Sequence, residues 1–243
     1  MKKRESNGGI FRFKRFAVAH GGGSMKVGVD GVLIGAWGCV EGKRGLDVGC
    51  GCGLIGLMAA QRNSRCNIDL IDVHQPSVDE ALANLEMSDW SRRLKVVCSD
   101  VSEFARLAEN KESYDFIISN PPFFQSGLKN PATPREVARH EGSLSPASLL
   151  SLSVQLLKPL GTLSMVIAAE TEVPSLNMMQ LERICLVADR PGKQPKRRLL
   201  LYRKTSSQKE EDNPLVEKLY IRNADGSYSA QYKELTKDFY LDF

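Results

Sequence analysis

Apolar positions along this chain fall into short runs separated by longer amphipathic stretches. Gly45-Leu46-Asp47-Val48 reads as a buried strand, and Leu54 through Ala60 opens a helix. Asn67 to Asp72 makes a second strand. Pro76, suited to a first helical turn, then leads into a helix through Val78, Ala81, Leu82 and Leu85. Leu94 to Cys98 reads as a third strand with a helical stretch after Asp100, and Tyr114 to Ser119 as a fourth. A helix from Pro146 to Leu157 precedes a fifth strand over Gly161 to Ile167. Ile184 to Ala188 and Arg198 to Tyr202 complete the set as two strands of a closing hairpin. Strands alternating with helices at this spacing predict an α/β fold, a mostly parallel seven-stranded sheet covered on both faces. Ser206 to Asn213 reads as an exposed loop, and no internal repeat or low-complexity tract interrupts the pattern. The simplest organisation is one domain over 1–243, with a core at 41–205, an extension at 1–40 and another at 206–243.

Composition narrows the class. In 243 residues the apolar share of 42% and charged share of 26% match a soluble globular domain. No apolar run reaches the length of a membrane span. The basic start, Met1-Lys2-Lys3-Arg4, continues into polar Glu5 to Gly9 where a signal peptide needs an apolar stretch, so a cytoplasmic protein is expected. Six cysteines without a CxxC pair and three scattered histidines predict reduced thiols and no metal site. The net charge of +4 is mild, but basic residues gather twice. One group is Lys2, Lys3, Arg4, Arg12, Lys14 and Arg15; the other is Arg190, Lys193, Lys196, Arg197, Arg198, Arg203 and Lys204. Converging, they would form a phosphate-binding face, with Lys196 and Arg197 as candidate RNA contacts.

The chemistry concentrates in two places. Asp47-Val48-Gly49-Cys50-Gly51-Cys52-Gly53 lies where the first core strand turns into its helix. Glycines at alternate positions let the backbone bend sharply and approach a ligand, and the helix start favours an anionic group. Gly51, Gly53 and Gly56 satisfy GxGxxG, so a dinucleotide competes with S-adenosylmethionine for this loop. Asp72 suits the ribose diol of either. Asp47 favours the sulfonium cofactor, because a carboxylate there repels a pyrophosphate and accommodates a cationic amino-acid end. Asp100 stands where an adenine amino group would be read.

The second place is Asn120-Pro121-Pro122-Phe123, directly after the fourth strand. An exocyclic amino group is a poor nucleophile because its lone pair is delocalised. Two acceptors on its N–H groups let that lone pair rehybridise toward a methyl carbon. The Asn120 side-chain oxygen is one candidate acceptor and the Pro121 carbonyl the other, held in place by the stiff prolines. Phe123 offers a face for a flipped-out base. Neither a metal nor a strong base is required.

Together these features resemble the class I S-adenosylmethionine-dependent methyltransferases of the amino-methylating branch, whose core is Rossmann-like. More narrowly, the chain is similar to the bacterial tRNA1(Val) adenine-N6 methyltransferases, which act on the adenosine 3′ of the anticodon. The likeness rests on Phe11 to Phe16 with Met25 to Trp37, on Asn120 to Phe124 continuing into Ala132-Thr133-Pro134-Arg135 and Ala138-Arg139, and on Tyr228 to Tyr232 with Phe239 to Leu241. It spans nearly the whole chain. The resemblance implies that Asp47, Gly49, Gly51 and Gly53 line the methionine end of the cofactor, that Asp72 binds its ribose and Asp100 its adenine. It further implies that Lys26 to Asp30 close over the amino-acid moiety, Asn120 and Pro121 hold the target amino group, and Phe124, Arg135 and Arg139 meet tRNA. An oligomeric state is not implied. Departures are Cys50 and Cys52 where small residues are expected, Asp72 in place of a more frequent Glu, Val29 for Thr and Phe123 for Tyr. The two cysteines would alter cofactor affinity or make the loop sensitive to oxidation. Competing readings are a guanine-N2 methyltransferase of ribosomal RNA, a protein glutamine methyltransferase, and a catalytically silent RNA-binding module. An NAD-dependent oxidoreductase leaves Asn120 to Phe123 unexplained.

Overall fold

Each strand and helix expected between residues 44 and 204 forms, within a few residues of its expected ends. The computed structural model describes residues 9–22, 24, 26–121, 144–206 and 213–243. The core strands are β3 (Arg44–Val48), β4 (Asn67–Asp72), β5 (Leu94–Cys98), β6 (Tyr114–Ser119), β7 (Leu157–Ala168), β8 (Met179–Ala188) and β9 (Arg197–Lys204). Ahead of them stand β1 (Gly9–Arg12), β2 (Ala17–His20) and α1 (Val29–Trp37). Between them lie α2 (Leu54–Arg62), α3 (Gln75–Glu86), α4 (Val101–Arg106) and α5 (Pro146–Leu156), and β10 (Leu215–Tyr220) and α6 (Ala230–Thr236) follow.

Local chemistry sets the helix starts. Ser145 caps α5 by accepting the Ser148 N–H at 3.0 Å, and Ser229 caps α6 by accepting that of Tyr232 at 3.0 Å. Pro76 occupies the first turn of α3, as its fixed φ allows. In α3 the buried face carries Val78, Ala81 and Leu85, but Leu82 points outward at 48% exposure. Asn84 is buried in that face, at 1% exposure.

The sheet order is β10-β8-β9-β7-β6-β3-β4-β5, eight strands where seven were expected. Only β9 runs against its neighbours, pairing antiparallel with β7 and β8 as the hairpin reading required. The extra strand, β10, adds parallel to β8 at the edge. It is short and half-exposed, so its sequence lacks the apolar run that marked the others. Alternating side chains separate two cores: Phe116 and Ile118 of β6 join Leu33, Leu57 and Leu70, while Ile117 joins Leu46, Leu149 and Leu200.

The segments before and after the core meet each other. Lys14 donates its backbone N–H to Phe239 at 2.8 Å and its ammonium to the Lys237 carbonyl at 2.6 Å. Phe13 stacks on Phe16 at 4.7 Å and on Tyr240 at 5.9 Å. Two of the three stretches that carry the family resemblance therefore form one aromatic cluster.

The second basic group is largely consumed by structure. Lys204, 4% exposed, donates to Glu112 at 2.7 Å and to the carbonyls of Val154 and Leu157 at 2.7 and 2.8 Å. Lys204→Ala strands those carbonyls and is expected to cost about 3 kcal/mol in urea denaturation. A loss no larger than that of a surface pair, about 0.5 kcal/mol, would refute the buried-anchor role. Arg203 pairs with Glu182 at 2.6 Å, and Arg198 donates to the Thr171 carbonyl. Lys193 and Lys196 remain exposed in the turn between β8 and β9, at the carboxyl end of β7. Arg15 lies over the Trp90 ring at 5.4 Å, just before β5 begins, so this member of the first basic group sits at the amino end of the sheet. Among the described residues the two groups do not converge, because the β1–β2 turn and the β8–β9 turn lie at opposite sheet ends. Among the described residues no helix is long and apolar enough to cross a membrane.

Candidate active site

After β3 the chain crosses to β4 and β5 on one side, and later returns to β6 and β7 on the other. The crevice outside the carboxyl ends of β3 and β6 is thus a topological switch point, where open α/β sheets bind ligands. Val48 pairs with Ser119, so Gly49 and Asn120 both stand one residue beyond the last rung, side by side. The Ser119 hydroxyl tightens this junction by donating to the Val48 carbonyl at 2.8 Å. Sequence reading passed over Ser119, since nothing local marks a buried serine at a strand end.

The glycine loop owes its path to left-handed backbone at Gly49, Gly51 and Gly53, with φ of 70°, 54° and 82°. The Gly49 and Cys50 N–H groups anchor it to the Ile71 carbonyl at 2.8 and 3.0 Å. A side chain at Gly53 would meet Leu85 at 2.8 Å, whereas one at Gly49 would project into open space. Gly53 is therefore needed for packing, while Gly49 leaves open space beside the loop. Burial raises the thiols of Cys50 and Cys52, the latter to about 11, which disfavours the reactive thiolate in both. All six cysteines are free.

Asp47, 1% exposed, accepts the Gly56 N–H on Oδ2 at 2.9 Å, while its Oδ1 is buried without a partner among the described residues. Burial pushes this carboxyl up to about 7, and nearby Asp72 adds to the rise. Asn120 Oδ1 is likewise buried with no partner among the described residues, and Pro121 is buried beside it. Asp72 accepts the Gly51 N–H and the His74 N–H, both at 2.9 Å, so it braces the loop while each oxygen keeps a second lone pair. Asp100 caps α4 through Ser102, whose hydroxyl and N–H hold that carboxyl below the usual range. Val73, 66% exposed between Asp72 and His74, offers an apolar surface at the crevice edge that the alternation pattern alone does not flag.

Two expected assignments meet in one contact. Asp30, expected at the cofactor, receives the Arg197 guanidinium at 2.9 Å, and Arg197 was expected to hold RNA. Lys26 and Lys196 are exposed. If Asp30 and Arg197 act as one unit, Asp30→Ala and Arg197→Ala should each lower stability slightly, with a coupling of about 0.2–1 kcal/mol in a double-mutant cycle. Strictly additive losses would show that the pair contributes nothing. Phe123, Phe124, Arg135 and Arg139 lie outside the described residues.

The crevice thus presents two buried acceptors that lack donors among the described residues. A ligand bringing N–H groups satisfies them, whereas a pyrophosphate, all acceptor, would leave both orphaned. A sheet with one reversed strand, a glycine loop after its first core strand and two buried acceptor oxygens beside it define the class: this is a class I methyltransferase fold. Comparison with known proteins agrees. The methyltransferase small domain model matches residues 32–192. A Bacteroides fragilis protein named tRNA1(Val) (adenine(37)-N6)-methyltransferase is 39% identical over 96% of this chain and 98% of its own length. A Yersinia pestis protein of the same name is 35% identical over 97% and 95%. A crystal structure described as a predicted O-methyltransferase from Agrobacterium tumefaciens superposes with a TM-score of 0.65 at 20% identity, covering 86% of this chain and 96% of that one. The chain belongs to the methyltransferase small domain family and, within it, to the family of those tRNA1(Val) (adenine(37)-N6)-methyltransferases.

Proposed function

We propose that this enzyme methylates the exocyclic N6 of the adenosine at position 37 of tRNA1(Val), beside the anticodon, using S-adenosyl-L-methionine in the cytoplasm. The observation that carries the reading is Asn120 Oδ1, buried at the switch point next to the glycine loop with no partner among the described residues. Support for the tRNA target comes from relatives matched over almost their full length.

S-adenosylmethionine, when bound, supplies a methyl carbon on a positive sulfur that leaves as a neutral thioether. Asp47 with Gly49, Gly51 and Gly53 would hold its amino-acid end. Asp72 would take the ribose, and Val73 and Asp100 would flank the adenine. In this reading the 1–40 extension covers the amino-acid end, with Lys26 and Asp30 at its rim. Asn120 accepts one N–H of the target amino group and the Pro121 carbonyl accepts the other. Both acceptors are in place before substrate arrives, so the nitrogen lone pair is freed without reorganisation at the moment of reaction. Alignment supplies much of the remaining acceleration. The proton leaves to water once methylation has made the nitrogen acidic. Phe123 and Phe124 supply stacking surface for the flipped base, and Arg135, Arg139 and Lys196 hold phosphates. Arg197 acts through Asp30 instead.

Incubation with radiolabelled S-adenosylmethionine and total tRNA, followed by nucleoside chromatography, tests the proposal. Label in N6-methyladenosine is the expected result. Label absent from tRNA but present in ribosomal RNA or protein would overturn the target.

A further inference from the structure

Glu80 and Asn84 stand four residues apart on one face of α3, and between them they collect six hydrogen bonds from segments far away in the chain. Asn84, buried despite its amide, accepts the Ala19 N–H at 2.8 Å and donates to the carbonyls of Ala19 at 2.8 Å and Cys52 at 2.9 Å. One side chain thereby ties β2 to the glycine loop. Glu80 accepts the Gly22 N–H at 3.0 Å, the Ser24 N–H at 2.9 Å and the Ser24 hydroxyl. The Cys52 side chain also hydrogen-bonds Ser24, and a Cβ at Gly51 would lie 3.8 Å from that of Ser24. Gly22 is exposed and Ser24 half-buried, so these bonds secure backbone that buries almost no apolar surface. The β1–β2 hairpin is already fixed by Asn84 and by the aromatic cluster around Phe13. What Glu80 adds is the placement of two residues against the loop.

We propose that Glu80 is a positioning residue that holds Gly22 and Ser24 against the glycine loop, with Asn84 as its anchor, as a preformed wall for the cofactor's amino-acid end. This rests on the cofactor reading above. A wall ordered before binding spares the cofactor the entropy of ordering it. Glu80 touches no reacting atom, so its effect belongs to cofactor affinity and not to the methyl-transfer step.

The test is equilibrium binding of radiolabelled S-adenosylmethionine to the full chain without RNA, with steady-state kinetics on tRNA alongside. Glu80→Ala is expected to raise Kd and KM for the cofactor about tenfold, the loss of roughly one hydrogen bond to a charged group. At saturating cofactor, kcat and the KM for tRNA should stay within about twofold. Glu80→Gln keeps an acceptor oxygen and should recover most of the affinity. Ser24→Ala removes only the hydroxyl and should raise Kd about threefold, which keeps the test open if Glu80→Ala melts early. Unchanged cofactor Kd in these folded variants, or an equal fall in kcat, would overturn the positioning role. A wild-type chain that fails to bind the cofactor would overturn the methyltransferase reading itself, and the two failures are distinguishable.

Discussion

Replacing Asn120 with alanine is expected to reduce turnover by about a thousandfold or more while leaving the cofactor's Kd within a few-fold of wild type. The physical reason lies in where its oxygen sits. Oδ1 is buried at the end of β6, with no partner among the described residues, and its neighbour across the strand pair is the glycine loop. A buried acceptor without a donor is costly, so its retention is explained by a donor that arrives with the substrate. Alanine removes that acceptor and leaves one carbonyl, at Pro121, to polarise an amino group that needs two. No hydrogen bond among the described residues ties the glycine loop to the Asn120 side chain, so cofactor binding should survive. Asn120→Asp is the informative companion: it keeps an oxygen and adds charge, and should retain more activity than alanine. Single-turnover rates with saturating cofactor and tRNA read the chemical step directly. Near-normal turnover in the alanine variant would sink the two-acceptor mechanism.

Asp47→Asn should make the cofactor-free protein more stable and the enzyme much worse. Burial lifts the Asp47 carboxyl from its ordinary 3.8 to about 7. The native state therefore holds this proton more tightly than the unfolded chain. Its contribution is fully present below pH about 4, is lost as pH rises toward 7, and stays lost above it. The full penalty of a three-unit rise is about 4 kcal/mol at most, before relaxation around the charge. Asparagine carries no such penalty. The stability gap between variant and wild type should therefore widen from pH 5 to pH 8 in denaturant titrations. Cofactor affinity should move the other way. The ionised carboxylate offers a cationic amino-acid end a partner, which the amide does not, so Kd should rise about a hundredfold or more, the weight of a lost buried charge pair. Wild-type affinity should also decline as pH falls through 7. A stability gap constant from pH 5 to 8 would show that Asp47 does not titrate there.

The sequence carried the succession of core strands and helices well because its signals are local. Short apolar runs, Pro76 and Pro146 at helix starts, and alternating glycines after Asp47 each report on a few neighbouring residues. The same locality explains the omissions. Val29 to Trp37 is buried through most of its length, so α1 shows little amphipathic contrast. β10 is a half-exposed edge strand without an apolar run, and β1 and β2 are only four residues each. Leu82 fitted the helical stripe, yet Asn84 holds the inward position, because β2 and the glycine loop bring it three hydrogen-bond partners.

By itself the sequence determined the α/β class and singled out the glycine loop and the Asn120 to Phe123 tetrapeptide as the candidate site, since each is written in consecutive residues. Only the tertiary structure decided which charges are available and which acceptors are unmet. It set Lys204 inside the fold, gave Arg197 to Asp30, and placed Arg15 and the exposed Lys193 and Lys196 at opposite ends of the sheet. It also placed Gly49 beside Asn120 and left Asp47 and Asn120 each with a buried oxygen that has no partner among the described residues. Charge pairing and hydrogen-bond satisfaction are properties of neighbours in space, and the strand order that makes those neighbours is set by packing across the whole sheet.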